Sequence, residues 1–162
     1  MIDTMNIENK KEKINWKQKL KNECIAILQQ RILTARKAME MAQESANSEE
    51  KSSAGDKHET ARASSQLERD MNARQLEQAK RELEFVNKID TTLIHTEAST
   101  GSAVLTNEYL FYISIGLGPS NLDGNKVIFV SPNAPVAALL NKKKPGDSFI
   151  FNGKTTLIID VF

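Results

Sequence analysis

Residues 25–46 have the sequence IAILQQRILTARKAMEMAQESA. Its apolar and small side chains recur at alternating steps of three and four: Ile25, Leu28, Ile32, Ala35, Met39, Ala42 and Ala46. This spacing keeps one narrow stripe on one side of an α-helix, as in the seam of a coiled coil. Neither Gly nor Pro occurs between residues 16 and 47, and helix-forming residues dominate there. The stretch therefore predicts one arm of a coiled coil.

A second arm is predicted between residues 56 and 88, with a clear seam at Leu76, Ala79, Leu83 and Val86. Leu67 and Met71 continue this seam after a step of five, which indicates a local shift of register. The residues between the arms are polar and include Gly55, as a reversal between helices requires. Residues 1–90 are thus expected to form an antiparallel two-helix hairpin with arms of roughly 50 Å and a tip at about residues 48–59. The small residues Ala35, Ala42, Ala46 and Ala63 would let the arms approach closely.

Composition divides the chain near Asp90. Residues 1–90 hold 17 of the 22 Lys and Arg and 16 of the 21 Asp and Glu, whereas all four Pro and six of the seven Gly follow residue 100. The net charge of +1 disfavours binding driven by gross positive charge. One Cys and two His leave little for a zinc site, and a single Cys fits a reducing cytoplasm. No apolar run is long enough to cross a bilayer, and the polar start predicts no secretory signal, so we expect a cytoplasmic protein without a membrane partner.

Residues 91–162 are predicted to form a small sheet-rich domain. Strands are expected at residues 102–105, 109–115, 126–130, 148–151 and 155–161. Turns are expected at Gly116–Pro119, Asp123–Asn125 and Asn152–Gly153, the last as a two-residue hairpin turn. Ala134 to Leu140 is expected to form a short helix on the sheet. The fold class is therefore α+β, a helical hairpin followed by an antiparallel sheet domain with a short helix.

The predicted tip holds two carboxylates that can do chemistry, Asp56 and Glu59. A spacing of three at a helix start places them on one face, where they can hold a cation such as Mg²⁺ if a partner supplies further oxygens. The same two residues also fit a helix cap, which is the simpler explanation and is compatible with the first. Residues 43–60 carry a net charge of −3, next to basic residues on both arms. This pattern suits a tip aimed at metal ions beside phosphates, whereas the usual explanation is an ordinary solvated coil with ion pairs within each helix.

Two segments of the chain resemble the bacterial Gre transcript-cleavage factors. Gly55-Asp-Lys-His-Glu-Thr-Ala61 is similar to the family's tip motif Gly-Asp-x-x-Glu-Asn-Ala. Ser131-Pro132, followed by residues 137–147, resembles a Ser-Pro, Ala-Leu, Gly-Lys and Gly-Asp pattern of the family's C-terminal domain. The match runs from about Trp16 to Phe162 in the same order. Thr60 stands where the family has Asn, and the connection from Asn133 to Val136 is slightly longer.

The resemblance implies an FKBP-like C-terminal domain and binding to RNA polymerase through its secondary channel, with Ser131 and Pro132 in contact with that partner. Asp56 and Glu59 would hold a second Mg²⁺ in the polymerase site, near the 3′ end of the nascent RNA, and position the water that attacks the phosphodiester. The chain would then be a monomer, bind no cofactor stably, and be no enzyme on its own.

Two alternatives to a cleavage factor stay open. Relatives of this shape can inhibit or retune polymerase without cleavage. A protein of another class, a scaffold that dimerises through its coil and binds peptides through its sheet, has the same periodicity. Lys142–Lys144 is most simply a solvated loop, and Cys24 and His58 are expected to be a packing residue and an exposed helix residue, respectively.

Overall fold

A computed structural model of the chain describes residues 7–50 and 55–162, with side chains described for residues 7–48 and 59–162. Its elements, in chain order, are α1 (Lys10–Glu50), α2 (Gly55–Asn87), β1 (Ala103–Thr106), β2 (Leu110–Ile113), β3 (Gly118–Leu122), β4 (Asn125–Val130), α3 (Pro135–Leu140), β5 (Ser148–Phe151) and β6 (Lys154–Val161). The two long helices pack together and are followed by a six-stranded sheet with one short helix. The predicted α+β class is confirmed.

Cα packing divides the chain into two compact units. One unit, Ile25–Glu84, contains most of α1 and α2. The other combines the sheet with the first part of α1 and the last turn of α2, residues 7–24 and 85–162. We call these the hairpin unit and the sheet unit. The sequence prediction divided the chain at a different place, near Asp90.

The seam of α1 follows the predicted spacing. Leu28, Ala35 and Ala42 are buried, and the other four predicted seam residues are half-buried. Three of the last four seam residues, Ala35, Ala42 and Ala46, are small, which fits close approach of the two helices because the backbone of a neighbour can come near an Ala side chain. In α2 the predicted residues Leu76, Ala79 and Val86 are also buried.

The predicted seam of α2 is wrong toward its N-terminus. Leu67 and Met71 are 62% and 53% exposed, and Ala63 is exposed as well. The half-buried positions are instead Ala61, Ser65, Arg69, Asn72 and Ala73, of which the first four continue the steps of three and four from Leu76. The helix therefore keeps its register and fills this part of the seam with small and polar side chains.

The sheet has the strand order β3-β4-β2-β1-β6-β5. All of its pairs are antiparallel except β2 with β4, which run parallel, so the predicted antiparallel sheet has one exception. The five predicted strands are present within about two residues at each end. Strand β3 was missed, because Gly118 and Pro119 favour a turn. Proline is tolerated there since β3 is an edge strand.

The two-residue turn at Asn152-Gly153 is confirmed. The turn predicted at Asp123–Asn125 is present as the two residues Asp123-Gly124, because Asn125 already begins β4. Both residues of each turn have positive φ angles: 50° and 79° in the first turn, 50° and 77° in the second. This geometry matches the right-handed twist of the strands that it joins.

The core lies on both sides of β2, whose four residues are all buried. Phe111 and Ile113 face a cluster completed by α3, β5 and β6, which includes Leu140, Phe149 and Ile158. Tyr112 lies on the opposite face of β2, near Cys24 of α1. A strand covered on both faces has a continuous apolar sequence, as residues 110–113 do.

Lys142 lies just beyond α3 with a φ of 63°, a left-handed conformation that costs a side chain with a Cβ about 1 kcal/mol or more. Its N–H donates a 2.9 Å hydrogen bond to the carbonyl of Ala98, which holds it in place. We expect Lys142→Gly to raise the free energy of unfolding by about 0.5–1 kcal/mol, measured by chemical denaturation. Lys144→Gly is the matched control, because Lys144 has no positive φ, and it should give no gain. Equal effects of the two substitutions on the free energy of unfolding would show that the left-handed conformation of Lys142 carries no such cost.

Candidate functional site

The predicted tip site lies at the N-terminus of α2. The helix begins at Gly55, so Asp56 is its second residue and Glu59 follows three positions later. This spacing puts both residues on one face of the first turns of the helix. The Glu59 side chain is exposed. The side chains of Asp56 and His58, with residues 51–54, lie outside the described residues.

Two carboxylates on one helix face provide the oxygen donors that Mg²⁺ prefers. A Mg²⁺ ion needs about six oxygen ligands, so such a pair leaves most of the shell to water, to a partner or to a substrate phosphate. Among the side chains that the structure describes, no group of three or more His, Cys, Asp and Glu is placed to hold a metal.

A groove of about 590 Å³ runs between α1 and α2 in the hairpin unit. Its floor includes Ala35 and Ala79, two small seam residues that leave space above them. Arg31 and Arg74 line it together with one carboxylate, Glu82, and the amide side chains Gln30, Asn72, Gln75 and Gln78. Neither arginine forms an ion pair within residues 7–48 and 59–162.

The other basic residues of the hairpin unit are placed differently. In a smaller groove, the Arg69 guanidinium donates a 2.9 Å hydrogen bond to Oε1 of Gln43 across the two helices. Arg69 therefore ties α2 to α1. Arg36 and Lys37 of α1 are exposed, and Arg62 lines the same small groove.

Ser131 and Pro132 lie in the turn between β4 and α3. The Ser131 carbonyl accepts the N–H of Ala134 at 3.0 Å, and its hydroxyl accepts the N–H of Asn133 at 3.3 Å. Pro132 is exposed and follows a half-buried Ser131. The two residues form a fixed, exposed turn before α3.

A polar cluster in the sheet unit was missed by the sequence analysis. Lys17 of α1 is fully buried, and its ammonium donates to the carbonyl of Leu93 at 2.6 Å and contacts Nδ1 of His95 at 3.2 Å. Burial lowers the pKa of Lys17 to about 8, partly offset by the charge of Asp90. Burial and then the charge of Lys17 lower the pKa of His95. A lysine inside a helix gives no sequence signal of such burial.

A second polar cluster surrounds Cys24. Its thiol is fully buried, 3.6 Å from the hydroxyl of Ser114, and burial raises its pKa to about 11. The Tyr112 hydroxyl is also buried, without a hydrogen-bond partner among the described side chains, and burial raises its pKa. A thiol with so high a pKa stays protonated, so Cys24 is the packing residue that the sequence predicts.

No family model matches this sequence, and neither a curated protein nor a solved structure matches it. Within the described part of the chain, no helix combines the length and apolar character needed to cross a membrane.

Proposed function

We propose that this chain is a Gre-like transcription elongation factor. It binds RNA polymerase through the secondary channel and stimulates the Mg²⁺-dependent cleavage of backtracked RNA by the polymerase itself. The observation that carries the proposal is the start of α2 at Gly55, within the sequence that resembles the Gre tip motif. That start gives Asp56 and Glu59 the helix face that the motif requires.

The remainder of the hairpin unit supports this proposal through its charges. Arg31 and Arg74 face a groove with amide side chains and have no ion-pair partner among the described residues. Such a surface is suited to lie beside phosphates, while the carboxylates Asp56 and Glu59 are suited to a metal ion. The two kinds of group have separate places along the same pair of helices.

In the proposed reaction, Asp56 and Glu59 share a Mg²⁺ ion with the polymerase active site. The ion supplies Lewis-acid chemistry when it is bound. The two carboxylates would provide oxygen ligands, and the partner would provide the others. The chain is then a factor that completes the active site of another enzyme and has no hydrolytic activity alone. The exposed turn at Ser131 and Pro132 would contact the polymerase from an FKBP-like sheet domain.

The test is a transcript-cleavage assay on a backtracked complex of the cognate polymerase with Mg²⁺. We expect the wild-type chain to stimulate the release of short 3′ RNA fragments, and Asp56→Asn/Glu59→Gln to lose this stimulation while it still binds the polymerase. Glu68→Gln/Asp70→Asn is the matched control, because it removes the same charge from exposed positions of the same helix. The control should keep the stimulation.

Other outcomes would overturn the proposal. Binding of the wild-type chain without stimulated cleavage would instead indicate a regulator that blocks or retunes the polymerase from the channel. Loss of cleavage in the control as well would show that net charge, rather than the tip carboxylates, is responsible. If no binding occurs, the resemblance is architectural and a coiled-coil scaffold becomes the leading explanation.

A further inference from the structure

The Lys17 ammonium joins α1 to the segment that follows α2, within the sheet unit. It is fully buried and donates to the Leu93 carbonyl at 2.6 Å. Its second described contact, at 3.2 Å, is Nδ1 of His95. Neighbouring hydrogen bonds join the same two segments. Lys21 donates to the carbonyls of Asn87 and Ile89, and the Thr91 hydroxyl donates to Oε1 of Gln18.

The contact between Lys17 and His95 fixes the protonation of the imidazole. An ammonium group has only donors, so Nδ1 must be an unprotonated acceptor. The ring is then neutral, with its one proton on Nε2. A proton added to Nδ1 would remove the acceptor and place a second positive charge beside a buried ammonium group.

Of the other charged groups near His95, Lys88 is positive, and the Asp90 carboxylate offsets positive charge to the same extent whether or not His95 is protonated. Lys88 and Asp90 line the same cavity as His95, and they precede it on the same segment. The Asp90 carboxylate accepts hydrogen bonds from the N–H of Thr92 at 2.9 Å and its hydroxyl at 2.6 Å. These bonds lower the pKa of Asp90, so its charge stays constant over the range in which histidine titrates. The Lys17 ammonium is the charged group in contact with the ring.

We propose that the Lys17–His95 contact is an acid-sensitive latch, which holds residues 93–95 on α1 while His95 is neutral and releases them when it is protonated. Leu93 and His95 also line a cavity of about 370 Å³ with Phe85, Ile89 and Gly101, so release changes the wall of that cavity. The latch is independent of the function proposed above, since it involves neither the tip carboxylates nor the turn at Ser131 and Pro132.

The direction in which pH changes the stability of the latch follows from the lowered pKa of His95. The folded chain favours the neutral ring more than the unfolded chain does. The stabilisation is therefore present above the ordinary histidine pKa of about 6.5 and is lost as the pH falls through the lowered value. The latch is closed at neutral pH and opens in acid.

Nitrogen NMR of the whole chain tests the latch between about pH 8 and pH 5. The chain has two histidines, so His58→Gln assigns the signals of His95. We expect the Nε2–H tautomer at neutral pH and a titration midpoint below the ordinary one. The backbone amides of residues 93–95 should shift with the same midpoint.

Two variants separate the latch from an unrelated titration. In Lys17→Met the midpoint of His95 should rise toward its ordinary value. In His95→Gln, which retains an acceptor but does not titrate, the amides of residues 93 and 94 should stop responding to pH. An Nδ1–H tautomer in the wild-type chain, a midpoint at or above the ordinary one, or amides that ignore the titration of His95 would each overturn the proposal.

Discussion

Phe111→Ala is expected to lower the free energy of unfolding of the sheet unit by about 3–5 kcal/mol. The Phe111 ring is fully buried at the centre of an aromatic cluster, edge-on to Phe151 at 5.3 Å, Phe149 at 5.8 Å and Tyr109 at 6.0 Å between ring centroids. Removing it leaves a cavity and breaks several edge-to-face contacts at once. Since a domain of this size is stable by only about 5–15 kcal/mol, much of the margin would be lost.

Chemical denaturation followed by the fluorescence of Trp16, the one tryptophan of the chain, measures this loss in the sheet unit. Ile150→Ala is the control, because Ile150 lies on the neighbouring strand β5 but is 66% exposed. It should cost less than about 1 kcal/mol. A cost for Phe111→Ala no larger than that for the control would show that the aromatic cluster is not the core.

How far the sequence predicts the fold depends on which physical signal each element carries. The α1 seam was predictable because burial and apolar periodicity coincide from Ile25 to Ala46. In α2 burial and apolar periodicity do not coincide, since Leu67 and Met71 are exposed while Ser65 and Asn72 are half-buried. Periodicity finds the apolar residues of a helix, and these are not always the ones that face the partner.

In the sheet, local turn chemistry was more informative than strand composition. Asn152-Gly153 fixes the β5–β6 hairpin through the φ angles of two adjacent residues. The parallel pairing of β2 with β4 depends on residues far apart along the chain, for which a single sequence carries no local signal. Strand β3 owes its place to pairing with β4, which outweighs the turn preference of Gly118 and Pro119.

For the candidate site, the sequence predicted residue types and spacing, and the structure adds the helix start at Gly55 and the exposure of Glu59. The cluster of Lys17, Leu93 and His95 was beyond prediction. Leu93 and His95 lie 76 and 78 positions after Lys17 along the chain, and they meet Lys17 only when α1 packs beside the segment that follows α2.

Between pH 8 and pH 9, the titration of Lys17 should contribute a rise of about 1 kcal/mol to the free energy of unfolding of the wild-type chain. The pKa of Lys17 is lowered to about 8 from its ordinary 10.5, so across this interval the unfolded chain binds a proton that the folded chain does not. Stability increases with pH wherever the unfolded state binds more protons. Below about pH 7 Lys17 is charged in both the folded and the unfolded state, and its contribution to stability is constant.

Above pH 9 a second buried group opposes the rise. Burial raises the pKa of Cys24 from 9.0 to about 11, so the folded chain now retains a proton that the unfolded chain loses. The rise of stability with pH due to Lys17 and the fall due to Cys24 then cancel. Burial also raises the pKa of Tyr112 from 10.0, so above that pH Tyr112 adds to the fall. Stability should therefore level off above about pH 9 and fall above about pH 10.

Chemical denaturation of the wild type and of Lys17→Met, at matched pH values from about 7 to 10.5, gives the difference between their free energies of unfolding. The titration of every other group largely cancels in this difference, so its change with pH reports on Lys17. That difference should grow by about 3 kcal/mol across the series, the product of the pKa change and about 1.4 kcal/mol for each unit. Lys19→Met provides the control, since it removes an exposed lysine of the same helix, paired with Asp123 at the surface, and should not reproduce this growth. A flat difference for Lys17→Met as well would mean that its ammonium is solvated rather than buried beneath Leu93.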